Sequence, residues 1–403
     1  MRIAVILLRW AMNFVYFFLK LLPTDGNKIL FLSRQSDTPS EDFMSLSRRI
    51  LDFKPDAKIV MITQRADSNP GSLLRFAGAT LKSMRHLATA RVCVLDSYWP
   101  AVSVLKHKKQ LAVIQMWHAM GKIKKSGYQT LGKKFGRSHM IAEEMRMHHN
   151  YDVVIAGGRA FNPFYCASFG IDENILYNVG LPRMDDLREN VERSRELFYA
   201  TYPQYRGKKI VLYAPTFRKG KVISANSIVR AFAPRKDTVL VVKYHPNQIK
   251  SMEAQMEAEK CDEVPTSVVL SVADCVITDY SAIAIEAAVL DKPLYFYLFD
   301  YEDYLSHNGL NVNLPDELPQ CVYTSAKALE KAIRTGRYDT EAYEEFREKY
   351  LPDMSGRATD KIANLIIGCM ENDKHDAIRE IVGEESRHGS TLGSKDTVRT
   401  GSL

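Results

Sequence analysis

The segment from residue 273 to residue 293, ADCVITDYSAIAIEAAVLDKP, constrains the fold more than any other part of the chain. Its apolar start (273–278) predicts a buried strand, residues 279–281 a turn, and the alanine-rich remainder a helix. A strand that runs through a serine-bearing turn into a helix leaves backbone N–H groups and a hydroxyl at the positive helix end, where a phosphate can bind. The alternative is an ordinary buried strand–helix unit with Ser281 as its N-cap.

Three further stretches place a polar or cationic group directly after an apolar, strand-like run. They are QMWHAMG at 115–121, VLYAPTFR at 211–218 and VLVVKYHP at 239–246. In open α/β sheets, ligands bind beyond the carboxyl ends of the strands. We therefore expect a ligand site to be built from side chains of all four stretches.

Taken together and in this order, the four stretches resemble the CDP-glycerol glycerophosphotransferase family, whose members prime and polymerise wall teichoic acids. That family carries a W-H-G-T-like turn, an A-P-T-[FW]-R turn, a K-x-H-P turn and a T-D-Y-S-S strand–helix junction, and the likeness spans roughly residues 90–350. Two positions depart from the pattern. Ala119 follows the histidine of the first turn, and Ala282 replaces the second serine of the junction, which removes one hydroxyl from the phosphate site.

The resemblance implies a reaction in which an acceptor hydroxyl attacks the β-phosphorus of a CDP-activated alditol and CMP leaves. His118 matches the family's proposed catalytic base, and a neutral imidazole suits that role. His245 is expected to neutralise charge on the departing diphosphate. Asp279 is acidic where a phosphate should bind, so it is assigned to capping the turn. The residues predicted to bind the CDP moiety are Thr216, Arg218, Lys243, Thr278, Ser281 and Glu286, the last of which is expected to be buried and to bind the ribose hydroxyls.

Strand-like and helical patterns alternate along the chain, which predicts an α/β fold with parallel sheets. We expect two Rossmann-like domains facing a cleft, the glycosyltransferase-B architecture that the resemblance also implies. The N-terminal, acceptor-binding domain is placed at residues 28–183 and the C-terminal, CDP-donor-binding domain at 184–375. The apolar run 267–270 is predicted as a strand. The tail, 384–403, is rich in Ser, Gly and Thr and is predicted to be disordered.

Residues 1–22 are strongly apolar and rich in aromatic residues, but Arg9 interrupts the segment and Lys20 lies near its end. A charge near mid-segment disfavours a membrane-spanning helix, and no cleavage site of a secretory signal follows. A helix lying in the membrane interface with both cations at the headgroups fits the composition better, and a buried first helix of the fold is the alternative. The sequence thus predicts a peripheral protein at the cytoplasmic face of the cell membrane.

A run of cations without any acid follows His118 closely. Because of that position, we expect it to bind an anionic membrane surface or the lipid-linked acceptor, whereas an isolated run would be a solvated loop. Nucleic acid is disfavoured because no recognised binding-module motif is present. The cations are Lys122, Lys124, Lys125, Lys133, Lys134 and Arg137.

No cluster of carboxylates has metal-ligand spacing, and the six cysteines form no C-x-x-C pair. We therefore expect a metal-independent transfer without a cofactor, in which the CDP-alditol is a co-substrate. CDP-glycerol is the expected donor and CDP-ribitol the next, since residues 306–311 depart from the family pattern. Two other classes stay open: a glycosyltransferase of the same architecture that uses a nucleotide sugar, and a non-catalytic membrane-bound scaffold.

Overall fold

The computed structural model describes residues 2–66, 69–133, 136–218, 225–233, 235–244 and 258–392, the last without the side chains of 384–392. The strands are β1 (Lys28–Ser33), β2 (Lys58–Thr63), β3 (Val92–Leu95), β4 (Ala112–Gln115), β5 (Val153–Ile155), β6 (Leu176–Tyr177), β7 (Lys209–Tyr213), β8 (Thr238–Val242), β9 (Cys275–Thr278), β10 (Leu294–Tyr297) and β11 (Val322–Tyr323). The α-helices are α1 (Arg2–Leu19), α2 (Glu41–Phe53), α3 (Pro70–Thr89), α4 (Pro100–Val104), α5 (His139–Glu144), α6 (Asn162–Phe169), α7 (Pro182–Glu189), α8 (Val191–Thr201), α9 (Asn226–Phe232), α10 (Thr266–Val272), α11 (Ile283–Val289), α12 (Tyr301–His307), α13 (Leu314–Glu317), α14 (Ala326–Thr335), α15 (Thr340–Tyr350), α16 (Ala358–Glu371) and α17 (Lys374–Leu392).

The first of two compact units comprises, within the described chain, residues 2–118, 137–183 and 352–392. Its sheet has the order β2-β1-β3-β4-β5-β6, and every neighbouring pair is parallel. β3 and β4 are buried along their whole length, as expected for strands of a parallel sheet that is covered on both faces. The carboxyl ends of β1, β3 and β4 therefore open side by side at one edge.

The second unit comprises residues 119–136, apart from the two that are not described, and the described part of 184–351. Its sheet has the order β11-β10-β9-β7-β8, again with every neighbouring pair parallel. Val211 and Ile277 on the central strands pack in one core cluster with Leu329 of α14. The two sheets confirm the predicted α/β fold with parallel sheets, while the glycosyltransferase-B arrangement of two domains stays a prediction.

Two segments belong to a different unit from the one that the sequence suggests. Residues 119–136 are part of the second unit, although they fall inside the expected N-terminal domain. Residues 352–375 are part of the first unit, so the expected C-terminal bound of the donor domain is wrong. Arg49 of α2 holds α16 there through Asp360, with Nε 2.7 Å from Oδ1. The composition of the sequence could not reveal that residues 352–375 pack on the first unit, because α2 and α16 are ordinary amphipathic helices.

Two assignments of secondary structure also change. The run 267–270 lies in α10 instead of a strand, and Ser271 Oγ donates to the carbonyl oxygen of Ser267 one turn earlier, at 3.0 Å. A short apolar run does not distinguish a buried helix from a buried strand. Helix α17 continues to Leu392, so predicted disorder is wrong for 384–392, and 393–403 lie outside the described residues.

The N-terminal helix α1 docks on the first unit along one face. Tyr16 is fully buried, and its hydroxyl lies 3.0 Å from Nδ1 of His107. Arg9 donates to the backbone carbonyl of Glu144 at 2.8 Å and is also ion-paired with that carboxylate. The expectation that Arg9 faces lipid headgroups is therefore wrong, because its charge is neutralised within the fold. By length and composition alone this helix is also long and apolar enough to cross a membrane.

Candidate active site

In the first unit, His118 lies beyond the carboxyl end of β4, and its ring is held by the loop that follows β3. Its Nδ1 is 3.0 Å from the backbone carbonyl oxygen of Asp96. Because a carbonyl oxygen only accepts, this contact places the ring proton on Nδ1 and the lone pair on Nε2. The amide Nε2 of Gln35 also lies 3.1 Å from this Nδ1 and can donate to it only in the other tautomer. With the proton on Nδ1, the amide of Gln35 is turned over so that its oxygen accepts there. This tautomer is the one that can accept a proton at Nε2.

The turn before His118 is unusual because Trp117 has a φ of 60°, a conformation that bulky residues rarely adopt. Its backbone N–H donates to the side-chain oxygen of Gln115 at 2.9 Å. Its ring lies against the imidazole of His118, with centroids 4.2 Å apart, and packs edge-on against Phe169 at 5.0 Å. The Trp-His pair of the motif is thus a strained turn whose aromatic residue fixes the direction of the imidazole.

Sequence reasoning did not assign a role to Asp96, whose carboxyl group is buried next to this turn. Burial raises the pKa of Asp96 to about 6, against the hydrogen bonds of Ser33 and Ser97, which lower it. Within the described residues its Oδ1 has no hydrogen-bond partner. The available signal is an acidic residue directly after the apolar run of β3. Its backbone oxygen orients His118, so Asp96 is a positioning residue of this site.

In the second unit, the loop after β7 and the turn after β9 are joined by an ion-pair cluster. Arg218 Nη1 lies 2.6 Å from Oδ2 of Asp279, and its Nη2 lies 2.8 Å from Oδ1 of Asp300. Burial acts to lower the pKa of Arg218, but these two carboxylates outweigh it and raise the pKa. The guanidinium of Arg218 is thus already engaged by two anions, which does not support its predicted role in phosphate binding.

Asp279 itself has the turn-capping role that the sequence predicts. Its carboxylate accepts hydrogen bonds from the backbone N–H of Thr216, at 2.8 Å, and of Tyr280, at 2.6 Å. Thr278 is fully buried and donates to the carbonyl oxygen of Ala214 at 2.7 Å. The structure does not bring Thr278 to a ligand surface, which corrects its predicted role. Thr216 is also buried, and within the described residues its hydroxyl has no hydrogen-bond partner.

The ammonium of Lys243 is bonded to backbone acceptors, which does not support its predicted role as a diphosphate ligand. Its ammonium donates to the backbone carbonyl oxygens of Cys261, at 2.5 Å, and Val264, at 2.9 Å. Burial lowers its pKa, and the charge of Asp262 opposes this effect. The contacts clamp the loop that enters α10 onto the end of β8. A lysine at a strand end could equally have reached the solvent, and sequence alone does not decide between the two.

The remaining donor-site predictions have different outcomes. Ser281 is half-buried, and its hydroxyl accepts from the backbone N–H of Ile283 at 3.4 Å, which is a local turn contact, because the N-cap of α11 is Ala282. Glu286 lies on α11 and is half-buried, so the expectation of a buried carboxylate is wrong. His245 lies outside the described residues, and so does Lys134 of the cationic run.

Asn311 makes several of the contacts that hold the lysines 122–133 of the cationic run within the second unit. The side-chain amide of Asn311 donates to the carbonyl oxygens of Lys122, at 2.9 Å, and Lys124, at 3.2 Å, and its oxygen accepts from Gln129 at 2.7 Å. Lys124 and Leu310 form an isolated antiparallel bridge, and Lys133 donates from Nζ to the carbonyl oxygen of Asn308 at 3.3 Å. Residues 308–311, which end the segment 306–311 that departs from the family pattern, thus hold this loop.

This packing corrects the expectation that the whole run faces a membrane or the acceptor. Lys122 is 2% exposed, and burial lowers the pKa of its ammonium well below the usual range. Its Nζ lies 3.2 Å from the hydroxyl of Ser126. Lys125 is half-buried, with its backbone N–H bonded to the carbonyl oxygen of Gly309. Arg137 belongs to the first unit.

Lys124 is the member of the run that comes near the ion-pair cluster. Burial lowers the pKa of its ammonium, the charge of Asp279 opposes that effect, and the charge of Arg218 adds to it. Lys124 therefore lies within electrostatic range of the ion pair between Arg218 and Asp279. For metal binding, the described residues contain no group of three or more His, Cys, Asp or Glu side chains placed to hold an ion. A metal-independent reaction stays a prediction.

Comparison with known proteins agrees with the geometry. The teichoic acid ribitol-phosphate primase of Bacillus spizizenii is 28% identical over 359 residues, which are 86% of this chain and 92% of the primase. The teichoic acid poly(ribitol-phosphate) polymerase of the same organism is 26% identical, and the match covers 90% of this chain but only 60% of the polymerase. A variant of the wall teichoic acid polymerase TagF with CDPG has the same fold, with a TM-score of 0.72 at 20% identity over 94% of this chain and 96% of that one.

The model of one protein family matches nearly the whole chain. Residues 14–368 match the family described as CDP-Glycerol:Poly(glycerophosphate) glycerophosphotransferase. The match includes His118 with its supporting loops and also the cluster around Asp279. The chain therefore belongs to the CDP-glycerol:poly(glycerophosphate) glycerophosphotransferase family, which confirms the resemblance and the predicted reaction class of CDP-dependent polyol-phosphate transfer.

Proposed function

We propose that the protein transfers glycerol phosphate from CDP-glycerol to a hydroxyl of a lipid-linked acceptor during teichoic acid synthesis. The oxygen of the acceptor hydroxyl forms a bond to the β-phosphorus, the bond from that phosphorus to the bridging oxygen breaks, and CMP leaves with the electron pair. The proton of the hydroxyl passes to the base. The observation that carries this proposal is the contact of 3.0 Å between His118 Nδ1 and the carbonyl oxygen of Asp96.

His118 acts as the general base because of this contact. A proton held on Nδ1 leaves the lone pair on Nε2, where an attacking hydroxyl can be deprotonated. The strained turn at Trp117 fixes the ring in place, so little conformational freedom is lost when the acceptor binds. The family membership of the chain supports the same role, since the predicted base of that family matches His118.

The donor diphosphate binds to the second unit, through Ser281 and Lys124. Lys124 replaces Arg218 and Lys243 in this role, because both of these side chains are bound to protein acceptors. Among the described residues, no carboxylate forms an ion pair with the half-buried ammonium of Lys124, so it can attract a phosphate strongly. His245 retains its predicted role at the departing nucleotide. Fixed cations then carry the charge of the diphosphate, and we expect no metal ion or cofactor in the reaction.

Ribitol phosphate is the second candidate for the transferred group. The primase from Bacillus spizizenii that is matched over 92% of its length is named for ribitol phosphate. The segment 306–311 departs from the family pattern, and its residues Leu310 and Asn311 hold the loop that carries Lys124. An altered loop beside the donor site is a physical reason for a different polyol.

The protein acts at the membrane surface as a peripheral enzyme. Trp10, Phe14 and Phe17 on the outer face of α1 are each at least 60% exposed, and aromatic side chains favour the membrane interface. Beside them lies a cavity of about 590 Å³ that is lined by Lys20, Lys106 and other residues. Cations next to exposed aromatic rings suit a surface of anionic lipids. The cytoplasmic face follows from the use of a CDP-activated donor.

The experiment that tests the proposal is a screen of donors. Purified protein is mixed with a lipid acceptor and, in separate reactions, with CDP-glycerol, CDP-ribitol and nucleotide sugars, and the released nucleotide is measured. Release of CMP from one CDP-alditol is the expected result. Release of a nucleotide from a nucleotide sugar, with both CDP-alditols intact, would show a glycosyltransferase instead. No release from any donor would favour the non-catalytic scaffold.

A further inference from the structure

Between α5 and β5 the chain forms a short loop, 145–150, in which three residues have a left-handed backbone conformation. The φ angles are 46° at Arg146, 61° at His148 and 70° at Asn150. Residues other than glycine rarely have a positive φ, and they keep it only where the surrounding structure compensates for the strain. The contacts of this loop lead to the two segments that hold His118, and they all lie within the first unit.

The two ends of the loop are bonded to the segment that follows β3. The hydroxyl of Tyr98 donates to the backbone carbonyl oxygen of Met145 at 3.1 Å. The side-chain amide of Asn150 lies within hydrogen-bonding distance of three carbonyl oxygens at the end of α4, which have no partner within the helix. They belong to Val102, Ser103 and Leu105, at 2.9, 3.2 and 3.0 Å. The loop therefore holds the segment in which the carbonyl oxygen of Asp96 contacts His118.

The middle of the loop carries His148, whose ring is 4% exposed and packs among aromatic side chains. Its centroid lies 4.5 Å from that of Phe169 and, edge-on, 6.2 Å from that of Trp117. Its Nδ1 lies 3.0 Å from the hydroxyl of Tyr151, and this contact fixes how the ring is turned. Trp117 has the φ of 60°, and its ring lies 4.2 Å from that of His118. A continuous line of rings thus runs from His148 through Trp117 to His118.

We propose that His148 is a positioning residue for the transfer reaction. Its ring supports the strained turn at Trp117, and the indole then holds the imidazole of His118 against the carbonyl oxygen of Asp96, with the lone pair on Nε2. His148 acts through Trp117 and not by contact with a substrate. This inference rests on the proposed function and adds the residue that keeps the base in the orientation in which it can act.

Two substitutions separate the ring of His148 from the strain of its backbone. His148→Ala leaves a space beside Trp117 into which the indole can move, so that the imidazole of His118 is free to turn. His148→Phe keeps an aromatic ring in that space. Both variants carry a Cβ atom at the same positive φ, so they differ only in the ring. We therefore expect the Phe variant to restore what the Ala variant loses.

Nitrogen NMR of the imidazole tests the inference without any turnover. At about pH 8.5 an unperturbed imidazole is neutral, and the chemical shifts of its nitrogens show which one carries the proton. The signals of His118 are those absent from His118→Gln. We expect the proton on Nδ1 in the wild type and in His148→Phe. In His148→Ala it should be shared between both nitrogens, because the contact with Asp96 no longer selects one. His149→Ala, at the adjacent exposed position, is the matched control and should leave these signals unchanged.

Single-turnover release of CMP from CDP-glycerol measures the effect on the reaction. His148→Ala should slow release by about 10- to 100-fold, since a displacement of about 1 Å at a catalytic group can have an effect of this size. Affinity for CDP-glycerol should not change, because the donor binds to the second unit. In a His118→Gln background the same substitution should slow release by less than about 2-fold, because a residue that acts through His118 has no further effect once the base is removed.

The outcomes separate this inference from the proposed function. A proton that stays on Nδ1 of His118 in His148→Ala would overturn the inference, whatever the transfer assay gives. An equal loss of turnover in both backgrounds would also overturn it, since His148 would then serve only the stability of the fold. A shared proton without release of CMP by the wild type would support the contact with His118 and count against the proposed function. If His148→Ala does not fold, His148→Leu takes its place, and the same results decide.

Discussion

Arg218 and Asp279 form a buried ion pair, with 2.6 Å between Nη1 and Oδ2, that ties the loop after β7 to the turn after β9. Asp300 extends the pair to a triad, since its carboxylate accepts from Nε at 3.0 Å and from Nη2 at 2.8 Å. The guanidinium also lies within about 5 Å of the rings of Tyr280 and Tyr304. The motif at 211–218 and the motif at 273–293 thus stabilise each other. This pairing occupies the guanidinium of Arg218, which would otherwise suit a phosphate.

The first prediction is that Arg218 contributes chiefly to stability. Arg218→Met should lower the free energy of unfolding by about 3–5 kcal/mol, because it leaves Asp279 and Asp300 as uncompensated buried charges. Urea unfolding followed by circular dichroism measures the change. Arg235→Met is the control, since its pair with Glu330 is partly exposed and should contribute less than about 1 kcal/mol. Equal losses in the two variants would contradict this interpretation of the triad.

The second prediction assigns donor binding to Lys124. Lys124→Met should weaken the binding of CDP-glycerol by about 10- to 100-fold, since it removes a charge-assisted contact while keeping the volume of the side chain. Equilibrium binding measurements with CDP-glycerol check this prediction. A thermal-shift comparison of the variant with the wild type excludes a loss of binding that is caused by unfolding. Lys331→Met, at an exposed position of α14, should leave binding unchanged. Wild-type affinity in the Lys124 variant would remove this residue from the donor site.

The general fold could be predicted because the sequence alternates strongly between apolar strands and helices. Residues such as 275–278 are apolar, bounded by turn residues and buried along their whole length. What could not be predicted is pairing between distant parts of the chain. Lys374 of α17 forms an ion pair with Asp152, with Nζ 2.8 Å from Oδ1. No local sequence pattern reveals a partner that lies so far away along the chain.

The candidate site shows the same division between local and distant information. The position of His118 at a strand end follows from its neighbours, and so does the capping role of Asp279. Whether a cationic side chain is available for a ligand does not follow from its neighbours in the sequence. It depends on which hydrogen-bond acceptors from distant segments lie next to that side chain in the fold. Lys243 is bound to the carbonyl oxygens of Cys261 and Val264, which lie 18 and 21 residues further on. Sequence motifs therefore located the site but not the free charges within it.

The third prediction concerns Asp96 and the pH dependence of stability. Its pKa is about 6 in the folded protein and 3.8 in a model compound, so between these values the folded state holds the proton that the unfolded state releases. The contribution of Asp96 to stability is therefore highest at low pH and is lost as the pH rises through 6. Asp96→Asn should be more stable than the wild type at pH 8, by at most ~3 kcal/mol, and should differ little at pH 4.

Urea unfolding at a series of pH values checks the sign of this effect. Asp172→Asn, at an exposed position of the same unit, is the control and should change stability little at any pH. A wild type that is stabilised by Asp96 at pH 8 would mean that the carboxylate has an ionic partner, and the interpretation of a desolvated acid would be wrong.

The fourth prediction concerns the outer face of α1. Replacing both Trp10 and Phe17 with Ser should lower binding to vesicles of anionic lipid by at least about 10-fold, because two large exposed rings no longer enter the interface. Stability should be unaffected, since the buried face with Tyr16 is intact. Leu197→Ser, which changes an exposed apolar residue of the second unit, is the matched control for vesicle flotation. Undiminished binding by the double variant would show that another surface attaches the protein to the membrane.

The last prediction tests the base itself. His118→Gln should reduce turnover by roughly 10²–10⁴-fold, the usual contribution of a positioned base, because an amide donates and accepts hydrogen bonds but does not take up a proton. Binding of CDP-glycerol should stay near the wild-type value, since the residue belongs to the first unit and the donor binds to the second. Single-turnover release of CMP separates the chemical step from binding. His149→Gln, at an exposed position of the same unit, should behave like the wild type. If the His118 variant retains near-normal turnover, the contact with Asp96 only completes the fold, and the proton must pass to a different group.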